Sequence, residues 1–107
     1  MICRIWHGWT THDNAAAYER VVRTSVIPDI ESRAINGFLS IDLIRRPLQN
    51  EVEFCTIMWF TSLEAIVAFV GEDATASHVP SPARAVLSRF DHESQHYEVL
   101  DRRLQGR

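Results

Sequence analysis

The segment Val52–Phe60 is apolar almost without interruption from Phe54 onward. A strand with one face in water alternates between apolar and polar residues, whereas a nearly continuous apolar strand is covered on both faces. A chain of 107 residues provides one layer of helices, which covers one face of a sheet. The pattern therefore predicts a homodimer in which a second copy of the chain covers the other face.

The remaining hydrophobic pattern divides the chain into further strands and helices. Tyr18, Val22, Val26 and Ile30 recur every four residues, as on the buried face of a helix. Pro28 is expected to kink or break this helix near its last turn, because it lacks a backbone N–H. The predicted strands cover 2–10, 38–46, 52–60 and 91–100, and the predicted helices cover 14–33, 63–70 and 82–89.

Local signals fix some of these boundaries. Asn36-Gly37 marks the turn into the second strand. Thr61-Ser62-Leu63-Glu64 resembles a capping box at the start of a helix, and Gly71 is expected to end that helix. Residues 72–81 are expected to form a loop or an irregular helical segment.

The element order predicts the fold class. A βαββαβ order is typical of the α+β, ferredoxin-like fold, in which an antiparallel sheet carries helices on one face. Connection rules place the first and third strands side by side at the centre of the sheet. One domain is expected over residues 1–100, and residues 101–107 form a charged tail that is expected to be flexible.

Composition and charge narrow the function. The chain is 46% hydrophobic and 23% charged, which is typical of a globular protein. Its eleven basic residues, all arginine, are scattered and are outnumbered by 14 acidic residues, so neither nucleic acid nor a membrane surface is an expected partner. The N-terminus has no signal-peptide pattern and no apolar run reaches membrane-spanning length, so a cytoplasmic location is expected.

Several classes of site lack their sequence signatures. Cys3 and Cys55 are not in CxxC spacing and are expected to be buried, reduced thiols, with a disulfide between neighbouring strands as the alternative. The five histidines form no HxxxH, HxH or HExxH pattern, so no dedicated metal site is expected. A nucleophile elbow, a P-loop and a dinucleotide-binding glycine pattern are also missing, which disfavours hydrolase, kinase and nicotinamide-dependent activities.

Two histidines are candidates for catalysis. His78 lies near Pro80 and Pro82 in the segment expected to roof a pocket, where it can act as a general base or as a ligand of haem or a metal. The alternative is a solvated loop histidine. His96, in the last strand, either points into the pocket or forms a hydrogen bond across the sheet. His7 faces the opposite side of its strand from Trp6, at the dimer seam or along the cavity.

Aromatic residues are candidates for binding a planar ligand. Trp6, Tyr18, Trp59 and Phe69 belong to an aromatic set that can form a flat slot around a ring, with an ordinary hydrophobic core as the alternative. All three tryptophans of the chain fall on the two strands predicted to be central, which is more than a core requires.

Five short segments resemble a known family. They are Trp6-His7-Gly8-Trp9-Thr10, Glu53-Phe54, Thr56-Ile57-Met58-Trp59-Phe60, Ser62-Leu63-Glu64-Ala65 and His96-Tyr97-Glu98-Val99. Together they are similar to the antibiotic biosynthesis monooxygenase family of the dimeric α/β-barrel superfamily, over residues 2–100. The resemblance implies a dimer whose two sheets pack face to face as a barrel, with a pocket in each protomer between sheet and helices.

The family also implies possible activities. Some members oxidise aromatic polyketides with oxygen and no cofactor, which implies a cofactor-independent monooxygenase acting on a small aromatic or polyketide-like substrate. In that role His78 or His96 removes a proton, and Trp6, Tyr18, Trp59 and Phe69 hold the ring. A non-catalytic dimeric ligand-binding or stress-response module is the alternative from another class.

Haem is the one cofactor that the resemblance brings into question. Haem-degrading relatives use an Asn on the first strand, a Trp late in the helix after the third strand, and a His in the next segment. In this chain Phe69 takes the Trp position, and Val79 takes the His position with His78 beside it. The first strand has His7 or a neighbour and no Asn. Two of the three positions depart from the pattern, which argues against haem degradation.

Overall fold

The structure, a computed structural model, describes residues 1–106. It consists of an antiparallel sheet with helices packed on one face. The elements are β1 (Ile2–Thr10), α1 (Ala15–Val21), a π-helical segment (Val22–Val26), α2 (Ile27–Ser32), β2 (Phe38–Pro47), β3 (Val52–Phe60), α3 (Leu63–Val70), α4 (Ser81–Arg84), β4 (Arg89–Phe90) and β5 (Gln95–Glu98).

The sheet has the strand order β2-β3-β1-β4, and β5 also pairs with β1. Every pairing is antiparallel, and β1 and β3 are paired along their whole length, from Ile2 opposite Phe60 to Thr10 opposite Val52. The prediction of a ferredoxin-like α+β fold with the first and third strands at the centre is confirmed.

The last predicted strand, over 91–100, is wrong in detail: it is two short strands, β4 and β5. The Asp91 carboxylate accepts a hydrogen bond from the His7 backbone N–H at 2.9 Å, and the Ser94 N–H donates to the Thr75 carbonyl at 2.8 Å. The Asp91 N–H still donates to the His7 carbonyl at 2.9 Å, so the chain stays bonded to β1 at Asp91. The ladder is interrupted beyond it, where Ser94 is bonded to Thr75 instead of β1. Helix α4 is also shorter than predicted, because the Ser88 N–H already donates to Trp9 of β1.

The first long helix is not broken at Pro28. Its irregularity lies upstream, in the π-helical segment, where the Ile27 N–H donates to the Val22 carbonyl and the Thr24 hydroxyl donates to the Arg20 carbonyl at 2.6 Å. Pro28 follows in the first turn of α2, where a missing N–H is tolerated. The chain therefore continues as a helix to Ser32.

The core lies between the sheet and the helices. Trp6, Tyr18 and Phe54 centre one buried cluster, and Phe60 and Ile66, both fully buried, centre the other. Between the two clusters lies the cavity that forms the candidate site, so the packing of the helical layer on β1 and β3 positions that site.

Helix α3 has the boundaries that the sequence predicts. The Ser62 hydroxyl accepts a hydrogen bond from the Ala65 N–H at 3.3 Å, which caps the N-terminus. Gly71 ends the helix with a φ of +94°, a conformation that favours glycine. Because both ends are fixed, α3 holds Phe69 against the sheet.

The opposite face of the sheet is formed by the residues that alternate with the buried ones. Its centre consists of Ile5 opposite Ile57, flanked by the Cys3 and Trp59 pair and by the His7 and Cys55 pair. Cys3 and Cys55 are free thiols; Cys55 is buried as predicted, whereas Cys3 is only half-buried. This outer face, which the helices do not cover, is therefore apolar at its centre.

The C-terminal residues 99–106 contain no helix or strand. Within them, Leu100 and Leu104 are exposed. The division into a domain over 1–100 and a flexible tail over 101–107 stays a prediction, and Arg107 lies outside the described residues. No helix among residues 1–106 has the length and apolar character needed to cross a membrane.

Candidate functional site

A narrow cavity lies between the inner face of the sheet and the helical layer. Its free volume is about 40 Å³, room for about three water molecules. It is lined by Arg4, Trp6, Tyr18, Val22, Val26, Ile27, Ile30, Ile41, Thr56, Met58, Phe69, His78, Val79, Pro80, Ala83 and Ser94. The walls are apolar and aromatic, with a few polar groups in defined places, which is the usual make-up of a ligand site.

His78 lies in the wall of the cavity, edge-on to the Phe69 ring at 5.0 Å between centroids. Its Nε2 is buried and has no hydrogen-bond partner among residues 1–106. Burial lowers the pKa of His78, and the positive charges of Arg33 and Arg4 lower it further, against the opposing effect of Asp29. The ring is therefore neutral at pH 7, and a neutral imidazole has one nitrogen that can accept a proton.

His96 is not among the residues that line the cavity. It faces Arg4 across the β1–β5 pair, and its Nε2 lies 2.8 Å from Arg4 Nη1. A guanidinium can only donate, so His96 Nε2 accepts and its lone pair is already used. Burial, followed by the charge of Arg4, lowers the pKa of His96. This histidine orients Arg4, and of the two candidate bases only His78 reaches the cavity.

Arg4 is a feature of the site that the sequence analysis missed. Its side chain is buried, with only 3% of the residue exposed, and its guanidinium donates to the carbonyls of Ala74 and Ala76 at 2.6 Å each. It also lies over the Phe69 ring, 5.7 Å from the centroid. Burial lowers the pKa of Arg4 to about 10, so it stays charged at neutral pH. The available signal was an arginine two residues before Trp6, on the same face of an aromatic-rich strand.

Three of the four predicted ring-binding residues line the cavity: Trp6, Tyr18 and Phe69. Trp59 does not, because Met58 and Phe60 point inward and successive residues of a strand face opposite sides. Its indole lies on the outer face, with the Arg102 guanidinium 5.4 Å from the ring centroid.

Tyr18 is buried and lies edge-on to Phe54, with 4.7 Å between ring centroids. Burial raises the pKa of its phenol, because the charged phenolate is disfavoured away from water. The hydroxyl therefore stays protonated. At neutral pH Tyr18 can donate a hydrogen bond to a ligand but cannot serve as a base.

The loop 72–80 roofs the cavity and is fastened to β1. The Trp6 indole N–H donates to the Ser77 hydroxyl at 3.0 Å and to the Asp91 carbonyl at 2.8 Å, and the Ser77 hydroxyl donates to the same carbonyl at 2.6 Å. With the two bonds from Arg4, β1 holds the loop at three points, Ala74, Ala76 and Ser77. The segment that carries His78 is thus fixed over the pocket.

His7 lies on the outer face and away from the cavity. Its Nδ1 is 2.7 Å from an Asp91 carboxylate oxygen, and its ring stacks on Trp9 with 5.9 Å between centroids. Of the two positions predicted for His7, the cavity is wrong, and the seam of a dimer stays a prediction. Among residues 1–106, no group of three or more His, Cys, Asp or Glu side chains is arranged to hold a metal ion.

Comparisons by sequence give no relative: no family model matches the chain, and no curated protein is similar to it. Solved structures do match. One is a proposed antibiotic biosynthesis monooxygenase from Bacillus cereus, with 13% identity and a TM-score of 0.66 over 99% of this chain and 97% of that one. Another is SnoaB from Streptomyces nogalater, a cofactor-independent oxygenase, with 17% identity and a TM-score of 0.56 over 96% and 95%.

A third similar structure is MhuD from Mycobacterium tuberculosis, a haem degrader solved with two haems in its active site. It shares 20% identity and a TM-score of 0.58 over 95% of this chain and 98% of that one. Identities this low establish the fold and leave activity open. The chain has the fold of the antibiotic biosynthesis monooxygenase-type proteins, as its sequence resemblance implied.

Proposed function

We propose that the protein is a cofactor-independent monooxygenase that acts on a small aromatic or polyketide-like substrate in the cavity between sheet and helices. The observation that carries this proposal is His78, a half-buried, neutral histidine whose buried Nε2 has no partner among residues 1–106, in a cavity with aromatic walls. A buried polar atom without a partner is rare in proteins and is accounted for here by a substrate.

The proposed reaction begins with His78 as the general base. It takes a proton from an acidic C–H or O–H group of the bound ring, and an electron-rich anion remains. That anion passes an electron to dioxygen, and the radical pair combines to form a hydroperoxide. Loss of water then leaves a carbonyl, so one oxygen atom enters the product and the other leaves as water. The proton that His78 took returns to the peroxide, and the second hydrogen of the reacting carbon leaves with it in the water. That carbon supplies the four electrons that reduce dioxygen to one carbonyl oxygen and one water.

The enclosure of the cavity serves this chemistry in two ways. Water would return a proton to the anion, and the roof loop, which is fastened to β1, restricts its access to the cavity. An aromatic ring exceeds the free volume of about 40 Å³, so its binding requires the apolar side chains of the lining to move apart. The bound ring then lies close to His78, which favours proton transfer at short range. Trp6, Tyr18 and Phe69 supply the aromatic walls.

The test is oxygen consumption with a panel of anthrones and planar hydroquinones, using wild type and the H78Q variant. A positioned general base contributes about 10²- to 10⁴-fold in rate, so H78Q should lose that factor while it still binds the ring. The matched control is H92Q, which replaces a histidine exposed outside the cavity. No oxygen consumption with any compound, or equal rates for H78Q, would refute the assignment. Binding without turnover would instead support a non-catalytic ligand-binding or stress-response module.

The residues of the site do not match those expected of a haem-degrading relative. The roof loop, which would have to move to admit a porphyrin, is fastened to β1 at three points. Phe69 supplies no indole, and the histidine of the site stacks edge-on against it instead of facing open space. No step of the proposed reaction therefore involves haem, and haemin added to the protein should give no Soret band that depends on His78.

The same proposal includes a homodimer through the outer face of the sheet. Ile5, Ile57 and Trp59 lie half-buried at the centre of this face, and charged side chains, including the Arg46–Glu53 ion pair at 3.1 Å, lie at its edge. An apolar centre with a polar rim is the usual anatomy of an interface. Two free thiols on or near this face are also consistent with a cytoplasmic location.

The dimer is tested by light-scattering mass at micromolar concentration. Wild type should give the mass of two chains, and I57R should give one, because a charge at the centre of the face would be buried without a partner. The control is L63R, which places the same charge at an exposed leucine on α3. A wild-type monomer, or an I57R variant that stays dimeric, would contradict the proposal.

A further inference from the structure

Arg4 is a buried cation without an anionic partner. Its three hydrogen-bond acceptors are all neutral: the carbonyls of Ala74 and Ala76 and the imidazole of His96. None of the ion pairs formed within residues 1–106 includes Arg4. A charge removed from water is costly unless an opposite charge compensates it. The free protein therefore holds an uncompensated positive charge in the cavity wall.

The second guanidinium near the cavity is different. Arg33 also lies over the Phe69 ring, 5.8 Å from its centroid, but it does not line the cavity. It is paired with the Asp29 carboxylate at 2.9 Å and is more exposed than Arg4. Its charge is therefore compensated within the protein. Asp29 is bound to Arg33 and does not reach Arg4, so the net positive charge of the cavity comes from Arg4.

Arg4 also keeps hydrogen-bonding capacity. A guanidinium has five N–H groups, and the bonds to Ala74, Ala76 and His96 use three of them. Ser94 lines the same cavity and is only 5% exposed. Its Oγ has no hydrogen-bond partner among residues 1–106. Two remaining guanidinium donors, the Ser94 hydroxyl and the nearby His78 make a polar patch in an aromatic cavity.

We propose that the cavity binds its ligand as an aromatic oxyanion, and that Arg4 is its counter-ion and a specificity-determining residue. The oxyanion is either a carboxylate that the ligand brings or an enolate or phenolate formed when His78 takes the proton. In both cases the anion compensates the charge of Arg4 and accepts its remaining N–H groups, with Ser94 as a further donor. This inference deepens the proposed function by naming the substrate class of the same site.

The test compares charged ligands with neutral ligands of the same shape. Benzoate and 2-naphthoate are titrated calorimetrically into the wild-type protein beside benzamide and 2-naphthamide. Each acid should bind at least about tenfold more tightly than its amide, because only the carboxylate compensates the charge of Arg4 and can accept two parallel N–H groups of a guanidinium. Amides that bind as tightly as the acids would overturn the proposal.

A third ligand separates the two sources of the anion. 2-Naphthol is neutral in solution at pH 7, and its absorption spectrum reports ionisation. If it binds with the spectrum of the naphtholate, the site itself generates the oxyanion. If 2-naphthol stays neutral or fails to bind while 2-naphthoate binds, the carboxylate is the recognised form. Both results support an anion site, and they differ in which substrate they point to.

Variants tie the selectivity to Arg4. R4Q should abolish the preference of acid over amide, and R4K should retain part of it, because a lysine keeps the charge without the guanidinium geometry. R33Q is the matched control: it removes the other guanidinium over Phe69 and should leave the preference unchanged. Loss of the preference in R33Q, or its persistence in R4Q, would overturn the assignment. If R4Q fails to fold because the roof loop is released, the proposal is tested by the acid-to-amide affinity ratios of the wild-type protein and by S94A. Removal of the Ser94 hydroxyl, a donor to the oxyanion, should lower those ratios.

This outcome is distinguishable from that of the monooxygenase proposal. Selective binding of the acids without any oxygen consumption would leave the anion site standing and defeat the proposed reaction. Oxygen consumption at equal rates in wild type and R4Q, with no preference for acids over amides, would do the reverse.

Discussion

Gly37 and Gly71 have nearly the same positive φ angle in very different surroundings. Their φ angles are +91° and +94°, in the region that favours glycine. A Cβ at Gly37 would lie 2.5 Å from the Thr61 hydroxyl oxygen and 2.8 Å from the Ala65 Cβ, whereas one at Gly71 would meet no atom within 4 Å. The two sites separate backbone strain from steric overlap.

The expected cost follows from these distances. Alanine at either position carries the strain of a positive φ, about 1–3 kcal/mol. At Gly37 the overlap adds about 1–3 kcal/mol more, the usual cost of forcing extra atoms into a packed site. The Gly37 carbonyl also accepts the Thr61 N–H at 2.8 Å, so a shift there disturbs the start of α3, the helix that carries Phe69.

Urea unfolding followed by tryptophan fluorescence measures both variants. G37A should lose at least about 1 kcal/mol more than G71A, with the m-value unchanged, and should melt about 4 °C lower for each kcal/mol. It should also bind aromatic ligands more weakly than G71A does. Equal losses in the two variants would refute the reasoning, because the overlap with Thr61 and Ala65 would then carry no weight.

Two further predictions concern the cavity. In the G8A variant the new Cβ would lie 2.8 Å from the Trp6 ring and 2.9 Å from the Leu87 side chain. The variant should therefore lose about 1–3 kcal/mol of stability and bind ligand more weakly. A G8A protein that melts and binds like wild type would contradict this. The lowered pKa values of His78 and His96 make the unfolded state bind protons at higher pH than the folded state does. Stability should therefore be complete above about pH 6.5 and fall as the pH drops through the lower, folded-state values. In denaturant melts between pH 7.5 and 4.5, H78Q should reduce this slope and H92Q should not; equal slopes in wild type and H78Q would count against a buried, neutral His78.

Much of the fold follows from local pattern in the sequence. Tyr18, Val22, Val26 and Ile30 recur every four residues, and this spacing identifies the first long helix. The cap at Ser62 and the glycine at position 71 set the two ends of helix α3. These signals are short-range, so they can be read without knowing the tertiary contacts. The last strand is less readable, because hydrogen bonds from distant residues divide it into β4 and β5.

Only part of the candidate site could be predicted from the sequence. The expected convergence of Phe69 and His78 at one pocket is observed. The sequence could not predict which face of the sheet Trp59 occupies. Strand β3 is apolar at nearly every residue, and without alternation the pattern does not show which residues point inward. The burial of Arg4 could not be predicted, because a lone arginine in a strand is normally solvent-exposed. Its burial depends on Ala74 and Ala76, seventy and more residues away in sequence.

The most direct measurement of the central claim is a single turnover under ¹⁸O₂ with an anthrone that the wild-type protein binds. If His78 removes the proton that starts oxygenation, wild type should give a product carbonyl with one ¹⁸O atom, H92Q should match it, and H78Q should give almost none. An unlabelled product, or the same labelling rate in H78Q as in wild type, would contradict the proposed reaction.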